Sequence, residues 1–324
     1  MEDQEAINRL RKLSSSPYNP ETPKQRLLVN FFMVIARVFR RGGRITPHLY
    51  RGDNLSKVLY EYNNAHLFFD VLGRELSPDA LNNKEVLDAG CGWGGKTIYY
   101  AEHFKLKSIH GFDIPKAYDP DAPSRYASSK KLTNCFFETG YAENMPYRDN
   151  SFDIVLMEDV LEYVEDPKKV IQECYRVLKL GGKLIIKFPS FKGMFSHHLD
   201  RAINLPALHY ILPMKTWAQG LNYLLLDPRY KLFYEPFDKI ISTPYRKFIT
   251  HNLNGLDFQQ FKEIIKESDF KLLSLGLIPS RLNKNTRIIK FIYSLFWHFK
   301  NLQEFLSYYV LFIGEKNAIK IDKK

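Results

Sequence analysis

A glycine-rich stretch, residues 86–97, combines the residue types that hold a nucleotide or nucleoside. Its pattern predicts a buried strand, a turn containing Gly90, Gly92 and Gly94, and then the start of a helix. Glycine allows positive φ and lets the backbone approach a ligand without a Cβ clash. The helix start beyond the turn offers free N–H groups to a carboxylate or a phosphate. The stretch therefore predicts a ligand pocket at the end of a parallel strand.

An acidic residue, Asp113, ends the next apolar run of the chain, residues 109–113. A carboxylate at the end of the second strand can accept hydrogen bonds from both hydroxyls of a ribose. Each such charge-assisted bond contributes about 1.5–3 kcal/mol. Asp113 is therefore the expected ribose ligand.

The glycine spacing distinguishes between classes of nucleotide site. Glycines at positions 90, 92, 94 and 95 do not match G-x-G-x-x-G, the dinucleotide pattern whose last glycine lies inside the helix. Residues 90–97 do match the G-x-x-x-x-G-K-T of a triphosphate loop. That alternative leaves Asp88 and Asp113 without a role. It also requires an acid at the end of a later strand, whereas Asp153 stands at the beginning of its strand.

Five ordered segments resemble the motifs of one enzyme family. The D-x-G-C-G turn at residues 88–92, with its downstream acid, resembles motif I of the class I S-adenosylmethionine-dependent methyltransferases. The other four segments are residues 140–147, 150–156, 160–167 and 173–184. The chain is most similar to the methyltransferase type 11 group, which includes ubiquinone- and menaquinone-type enzymes. The similarity covers residues 84–190.

The resemblance implies an α/β, Rossmann-like fold with a mostly parallel seven-stranded sheet and an antiparallel last strand. Residues 1–80 would form an N-terminal helical cap, and residues 81–190 the cofactor-binding core. Residues 191–256 would be a substrate-lid insertion after the fifth strand. Residues 257–324 would complete the core and carry an inserted apolar helix near residues 286–300.

The hydrophobic pattern also predicts strands that alternate with helices, as in a parallel sheet. The predicted strands are residues 85–89, 108–113, 134–138, 152–157, 182–188, 270–278 and 307–314. The predicted helices are residues 27–38, 54–72, 95–104, 124–132, 167–179, 257–268 and 286–300. Prolines 115, 120 and 123 predict a loop over residues 115–124.

The resemblance implies S-adenosylmethionine as the cofactor. Gly90, Gly92 and Gly94 would approach its methionine part, and Asp113 would bind its ribose. Asp88 would anchor the turn or reach the methionine ammonium group.

Three further residues would line the cofactor according to the same resemblance. Ala142 and Glu143 would contact the adenine, in a loop where Tyr141 replaces the acid of the family motif. Glu158, at the end of the fourth strand, would lie near the sulfonium. A second departure from the family is Tyr163, which replaces the usual histidine after V-L-E.

Methyl transfer is an in-line displacement, so the protein must chiefly place the acceptor about 3 Å from the methyl group in a dry site. A base would add roughly 10²–10⁴-fold for a hydroxyl or carbon acid. His197, His198 and His209 are the candidates, in an H-H-L…L-P-x-x-H pattern that resembles some type 11 relatives. Histidine exchanges protons near neutral pH. No ligand spacing in the sequence predicts a metal site.

Composition limits the class of protein and its location. The chain of 324 residues is 45% hydrophobic, as expected of a folded globular protein. It lacks an 18-residue apolar run, its first residues do not resemble a secretory signal, and its three cysteines predict reduced thiols. We therefore expect a cytoplasmic protein.

The net charge of +11 favours anionic partners. Two apolar helices with basic flanks, residues 27–38 and 287–299, predict contact with an anionic membrane surface, burial in the core or a surface for a dimer partner. With the aromatic-rich insertion, they favour a small, apolar or lipid-linked acceptor, methylated on oxygen or carbon. Two alternatives stay open: an RNA methyltransferase, which the lack of a nucleic-acid motif disfavours, and a non-catalytic cofactor-binding scaffold.

Overall fold

The computed structural model describes residues 22–38, 54–65, 78–114, 120–194, 196, 207–212, 216, 253–279 and 296–317. The chain divides into two compact units. The first comprises Met1–Arg51 with Met194–Leu253, and the second Gly52–Gly193 with Asn254–Lys324. In the described part of the chain, no helix is long and apolar enough to cross a membrane.

The helices are α1 (Pro23–Val38), α2 (Asn54–Asn64), α3 (Gly95–His103), α4 (Asp121–Ser129), α5 (Pro167–Val177), α6 (Leu208–Ile211), α7 (Phe258–Lys266) and α8 (Lys300–Leu306). The strands are β1 (Glu85–Ala89), β2 (Ser108–Asp113), β3 (Cys135–Thr139), β4 (Phe152–Glu158), β5 (Leu178–Phe188), β6 (Phe270–Pro279) and β7 (Ser307–Lys316). A short 3₁₀ helix, Pro78–Leu81, precedes β1.

The second unit contains a seven-stranded sheet in the order β3-β2-β1-β4-β5-β7-β6. The strands from β3 to β5 are parallel, and β7 lies antiparallel between β5 and β6. This arrangement confirms the predicted fold class and the antiparallel last strand. The expected helical cap and lid fall largely on residues outside the described ones and stay predictions.

Helices cover both faces of this sheet. On one face, α5 and α7 contribute Val170, Ile171, Phe261 and Ile265 to the largest core cluster. On the other face, α3 packs on β1 and β2, and α2 and α4 pack in turn around α3. The central strands are therefore buried on both sides, which explains their nearly continuous apolar sequences.

The strand order places a topological switch point next to β1. The chain runs outward from β1 to β2 and β3, and then returns to pair β4 with the other side of β1. Connections that leave neighbouring strands in opposite directions open a crevice at the carboxyl ends of those strands. Residues that follow β1, β2 and β4 therefore converge at this edge of the sheet.

Most predicted boundaries agree with the structure within a few residues, and three segments differ. Helix α4 begins at Asp121, so the predicted loop was too long, because a proline in the first helical turn costs no internal hydrogen bond. Strand β5 begins at Leu178 and passes through Gly181, whose φ is +73°, at an irregular pairing with β4. Helix α8 was not predicted. Most of the predicted helix at 286–300 lies outside the described residues.

Candidate functional site

The glycine turn lies at the carboxyl end of β1 and adopts the predicted backbone. Gly90, Gly92 and Gly94 have φ values of 77°, 62° and 80°, a region that favours glycine. The N–H groups of Gly90 and Cys91 both donate to the carbonyl of Phe112, at 2.9 and 3.0 Å. The turn is thus fixed to the end of β2, and α3 starts directly after it.

Asp113 lies at the end of β2 beside this turn. One carboxylate oxygen accepts the N–H of Gly92 at 2.9 Å, and the other accepts the N–H of Ile114 at 2.7 Å. Burial raises the pKa of Asp113 to about 6, although both hydrogen bonds oppose that change. A carboxylate offers about four acceptor positions, so two remain for a ligand.

Asp88 is buried in β1, two residues before Gly90 of the turn. Its carboxylate accepts the hydroxyl proton of Thr97 on α3 at 2.6 Å. Burial raises the pKa of Asp88, and Lys96 and Thr97 partly offset that effect. Of the two roles expected for Asp88, the structure supports the anchoring of the turn to α3.

The predicted adenine loop begins next to Asp113. The N–H of Gly140 donates to the carbonyl of Asp113 at 3.0 Å, which brings the loop after β3 to the same edge. Ala142 is buried in the core cluster. The carboxylate of Glu143 accepts the N–H of Glu165 at 2.9 Å, so this side chain links two loops. The adenine role of Ala142 and Glu143 stays a prediction.

Glu158, at the end of β4, belongs to a buried ionic cluster. Its two carboxylate oxygens each lie 2.6 Å from a lysine ammonium, that of Lys96 on α3 and that of Lys187 on β5. Burial alone would raise the pKa of Glu158, but the two lysines outweigh burial and lower it. The ammonium of Lys187 also lies 3.7 Å above the ring of Tyr309 on β7. Glu158 is therefore a charged group held by two cations.

Sequence reasoning missed three residues at this edge of the sheet. Lys187 is a charged residue within the apolar run 184–188, a signal that should have suggested a buried partner. Glu162 follows β4, is 3% exposed, and among the described residues its carboxylate oxygens have no hydrogen-bond partner. Burial raises the pKa of Glu162 well above its usual range. Glu61 on α2 contacts the glycine turn, and its sequence context gave no signal beyond a helix.

The described structure does not test the three candidate bases. His197 and His198 lie outside the described residues. His209 belongs to α6 in the first unit, where its Nε2 lies 3.5 Å from the hydroxyl of Ser196. Their catalytic role stays a prediction.

The donor set fits the cofactor that the sequence resemblance implies. Asp113 has acceptor capacity for ribose hydroxyls, and it is bonded to the glycine turn at the carboxyl end of β1. When bound, S-adenosylmethionine supplies an electrophilic methyl group on a positively charged sulfur. In the described part of the chain, no group of acids, histidines and cysteines could hold a metal ion.

Comparison with known proteins agrees with this geometry. Residues 87–186 match a family model described as a methyltransferase domain. A 2-methyl-6-phytyl-1,4-hydroquinone methyltransferase of Spinacia oleracea is 32% identical over 40% of this chain and 37% of its own length. A sterol 4-C-methyltransferase of Caenorhabditis elegans is 30% identical over 54% of this chain and 53% of its own length. A ubiquinone biosynthesis O-methyltransferase of Coxiella burnetii is 29% identical over 45% of this chain and 66% of its own length.

The chain thus spans between about a third and two thirds of the length of these curated relatives. The matched region runs from the middle of β1 to most of β5 and includes the glycine turn, Asp113 and Glu158. The family match covers the glycine turn after β1 and the acid at the end of β2, the same residues to which the strand order points. The chain therefore carries a methyltransferase domain of the class I, S-adenosylmethionine-dependent family.

Proposed function

We propose that the protein transfers a methyl group from S-adenosylmethionine to a small, apolar or lipid-linked acceptor, with oxygen or carbon as the acceptor atom. The observation that carries the proposal is the pair formed by Asp113 and the glycine turn, in which the carboxylate accepts the N–H groups of Gly92 and Ile114 and keeps acceptor capacity for a ligand. In the transfer, the methyl group moves from sulfur to the acceptor, and the acceptor loses a proton to a base or to water.

The class of acceptor is supported by the relatives and by composition. The three relatives described above are named for quinol, sterol and ubiquinone chemistry. The predicted lid, residues 191–256, is rich in aromatic residues. Such side chains favour an apolar substrate over a highly charged one.

We include contact with an anionic membrane surface in this proposal. Helix α1 has an exposed apolar stripe formed by Leu27, Phe31 and Val34, which are 70%, 49% and 56% exposed. These residues are spaced by three or four positions and so share one helix face. Lys24 and Arg26 lie at the start of the same helix. Apolar side chains beside basic ones suit the interface of an anionic bilayer.

The decisive experiment measures methyl transfer from radiolabelled S-adenosylmethionine into an extract of the source cell, partitioned between organic and aqueous phases. We expect label in the organic phase with the wild-type chain and none with Asp113→Ala. Aqueous label that ribonuclease removes would overturn the acceptor class in favour of RNA. Cofactor binding without any label would favour a scaffold.

The labelled acceptor then allows the base to be identified. Alanine variants at His197, His198 and His209 would be compared with the wild type for both turnover and cofactor affinity. We expect one variant to lose roughly 10²–10⁴-fold in kcat while it retains the affinity for the cofactor.

A further inference from the structure

A second carboxylate, that of Glu61, lies directly on the glycine turn. Its oxygens accept the N–H of Trp93 at 3.0 Å and the N–H of Gly95 at 3.1 Å. Helix α3 has no capping side chain of its own at Gly94, so α2 supplies this contact from another part of the chain. Glu61 therefore occupies the N–H groups that would otherwise bind the carboxylate of a ligand.

The turn is shaped to admit this side chain. A Cβ atom on Gly92 would lie 2.5 Å from Oε1 of Glu61. Gly92 also donates its N–H to Asp113. The carboxylates of Glu61 and Asp113 thus flank consecutive peptide groups of the same turn, and a ligand that reaches one lies close to the other.

Glu61 lacks a cationic partner among the described residues. The ammonium of Lys96 acts on it through space, but that ammonium is bound to Glu158 at 2.6 Å. A partly buried carboxylate without a counter-charge is destabilising, even when backbone N–H groups bind it. A cationic group of a ligand would therefore bind favourably here, because it would supply the missing counter-charge of Glu61.

We propose that Glu61 binds the ammonium group of the methionine part of S-adenosylmethionine, an inference that depends on the proposed function. Each oxygen of Glu61 accepts one backbone N–H and retains further acceptor capacity. Asp113 would hold the ribose beside the peptide group that Glu61 binds, and one oxygen of Asp88 already accepts the hydroxyl proton of Thr97. Glu61 is therefore the carboxylate at the turn that would be left for the ammonium group.

The test compares two ligands that differ by the aminoacyl group. S-adenosylhomocysteine carries the ammonium, and 5′-methylthioadenosine retains the adenosine and sulfur but lacks it. Calorimetric titration of the full chain would measure both dissociation constants for the wild type and for Glu61→Gln. We expect Glu61→Gln to weaken S-adenosylhomocysteine about ten- to a hundredfold and to change methylthioadenosine by less than about twofold.

Glu102→Gln is the matched control. Glu102 on α3 accepts a hydrogen bond from Tyr62 of α2, so this variant loosens the same helix without touching the turn. We expect the ratio of the two dissociation constants to stay at its wild-type value. Equal weakening of both ligands by Glu61→Gln, or no weakening, would overturn the proposal. A wild-type chain that binds neither ligand would overturn the proposed function itself.

A measurement on the wild type alone tests the proposal even if Glu61→Gln fails to fold. Burial raises the pKa of Glu61 to about 7, with Lys96 opposing and Asp88 reinforcing the effect. The preference for S-adenosylhomocysteine over methylthioadenosine should therefore decrease as the pH falls from 8 to 6. A preference that stays constant over this range would contradict the proposal.

Discussion

At the scale of single residues, the edge of the sheet holds acids with opposite pKa changes. Burial raises the pKa of Asp113, whereas the two lysines beside Glu158 lower the pKa of that group. The difference follows from the partners, because Asp113 is bound by neutral N–H groups and Glu158 by cations. Neutral hydrogen-bond donors thus leave the negative charge of Asp113 available to a ligand, whereas two lysines already neutralise the charge of Glu158.

The raised pKa of Asp113 predicts a pH-dependent affinity for the adenosine part of the cofactor. The carboxylate must be ionised to accept ribose hydroxyls strongly, so the affinity for 5′-methylthioadenosine should fall as the pH decreases through about 6. In Asp113→Asn, the affinity at pH 8 should be about 10- to 100-fold lower and independent of pH between 5 and 8. Calorimetric titration measures both effects.

Glu263→Gln, on the exposed surface of α7, is the control for the removal of one negative charge. It should leave the affinity and its pH profile unchanged. A wild-type affinity that stays constant from pH 8 to pH 5 would contradict a role for ionised Asp113.

The raised pKa of Asp113 also affects the stability of the ligand-free protein. Because the folded protein binds this proton more tightly than the unfolded chain, the free energy of unfolding decreases as the pH rises through about 6.

At the scale of secondary-structure elements, the close approach of α2 to the glycine turn is the main feature of the site. Lys57 of α2 places its ammonium 4.2 Å above the ring of Trp93, and Glu61 binds the turn. The approach depends on Gly95, the first residue of α3. A Cβ atom there would lie 2.1 Å from the carbonyl oxygen of Val58 and 2.5 Å from the N–H of Tyr62.

This geometry predicts that Gly95→Ala displaces α2. The obstructing atoms belong to the backbone of α2, so no side-chain rotation relieves the clash. We expect the free energy of unfolding to decrease by about 1–3 kcal/mol, together with weaker binding of S-adenosylhomocysteine. Gly276→Ala in β6 is the matched control, because a Cβ atom there meets nothing within 4 Å. Equal stability of the two variants in thermal denaturation would show that the contact is unimportant.

The sequence predicted the local parts of this site more fully than the long-range contacts. The glycine turn, Asp113 and the strands around them were predictable because their signals lie within a few neighbouring residues. Glu61 and Lys187 were not, because their partners are 30 or so residues distant and only the packing of α2 and β5 brings them close. The predicted start of α4 was too late, because Pro120 and Pro123 indicate a loop by sequence pattern, although proline is compatible with a first helical turn.

At the scale of the whole molecule, basic charge and exposed apolar side chains occur together. The chain carries a net charge of +11, and α1 exposes Leu27, Phe31 and Val34 beside Lys24 and Arg26. Basic charge attracts a protein to anionic lipids over a distance that salt shortens. The apolar side chains then add binding free energy in proportion to the area that they bury.

The combination predicts salt-sensitive binding to anionic vesicles. We expect the chain to sediment with vesicles of phosphatidylcholine and phosphatidylglycerol at low salt, and much less with phosphatidylcholine alone. Replacement of Leu27 and Phe31 by serine should reduce the partition coefficient roughly tenfold or more, from the apolar area lost. Leu180→Ser, at an exposed position of β5, is the matched control. Equal binding of all variants would contradict the role of α1.

The position of β7 in the sheet has a consequence for the order in which the chain can fold during synthesis. Strand β6 pairs with β7, and β7 also covers the outer edge of β5. A nascent chain that has completed β1 to β5 can form the parallel part of the sheet, because those strands pair among themselves. Strand β6 must then wait for residues 307–316 before it gains a neighbour. Until those residues leave the ribosome, the outer edge of β5 and both edges of β6 remain open to pairing with other chains.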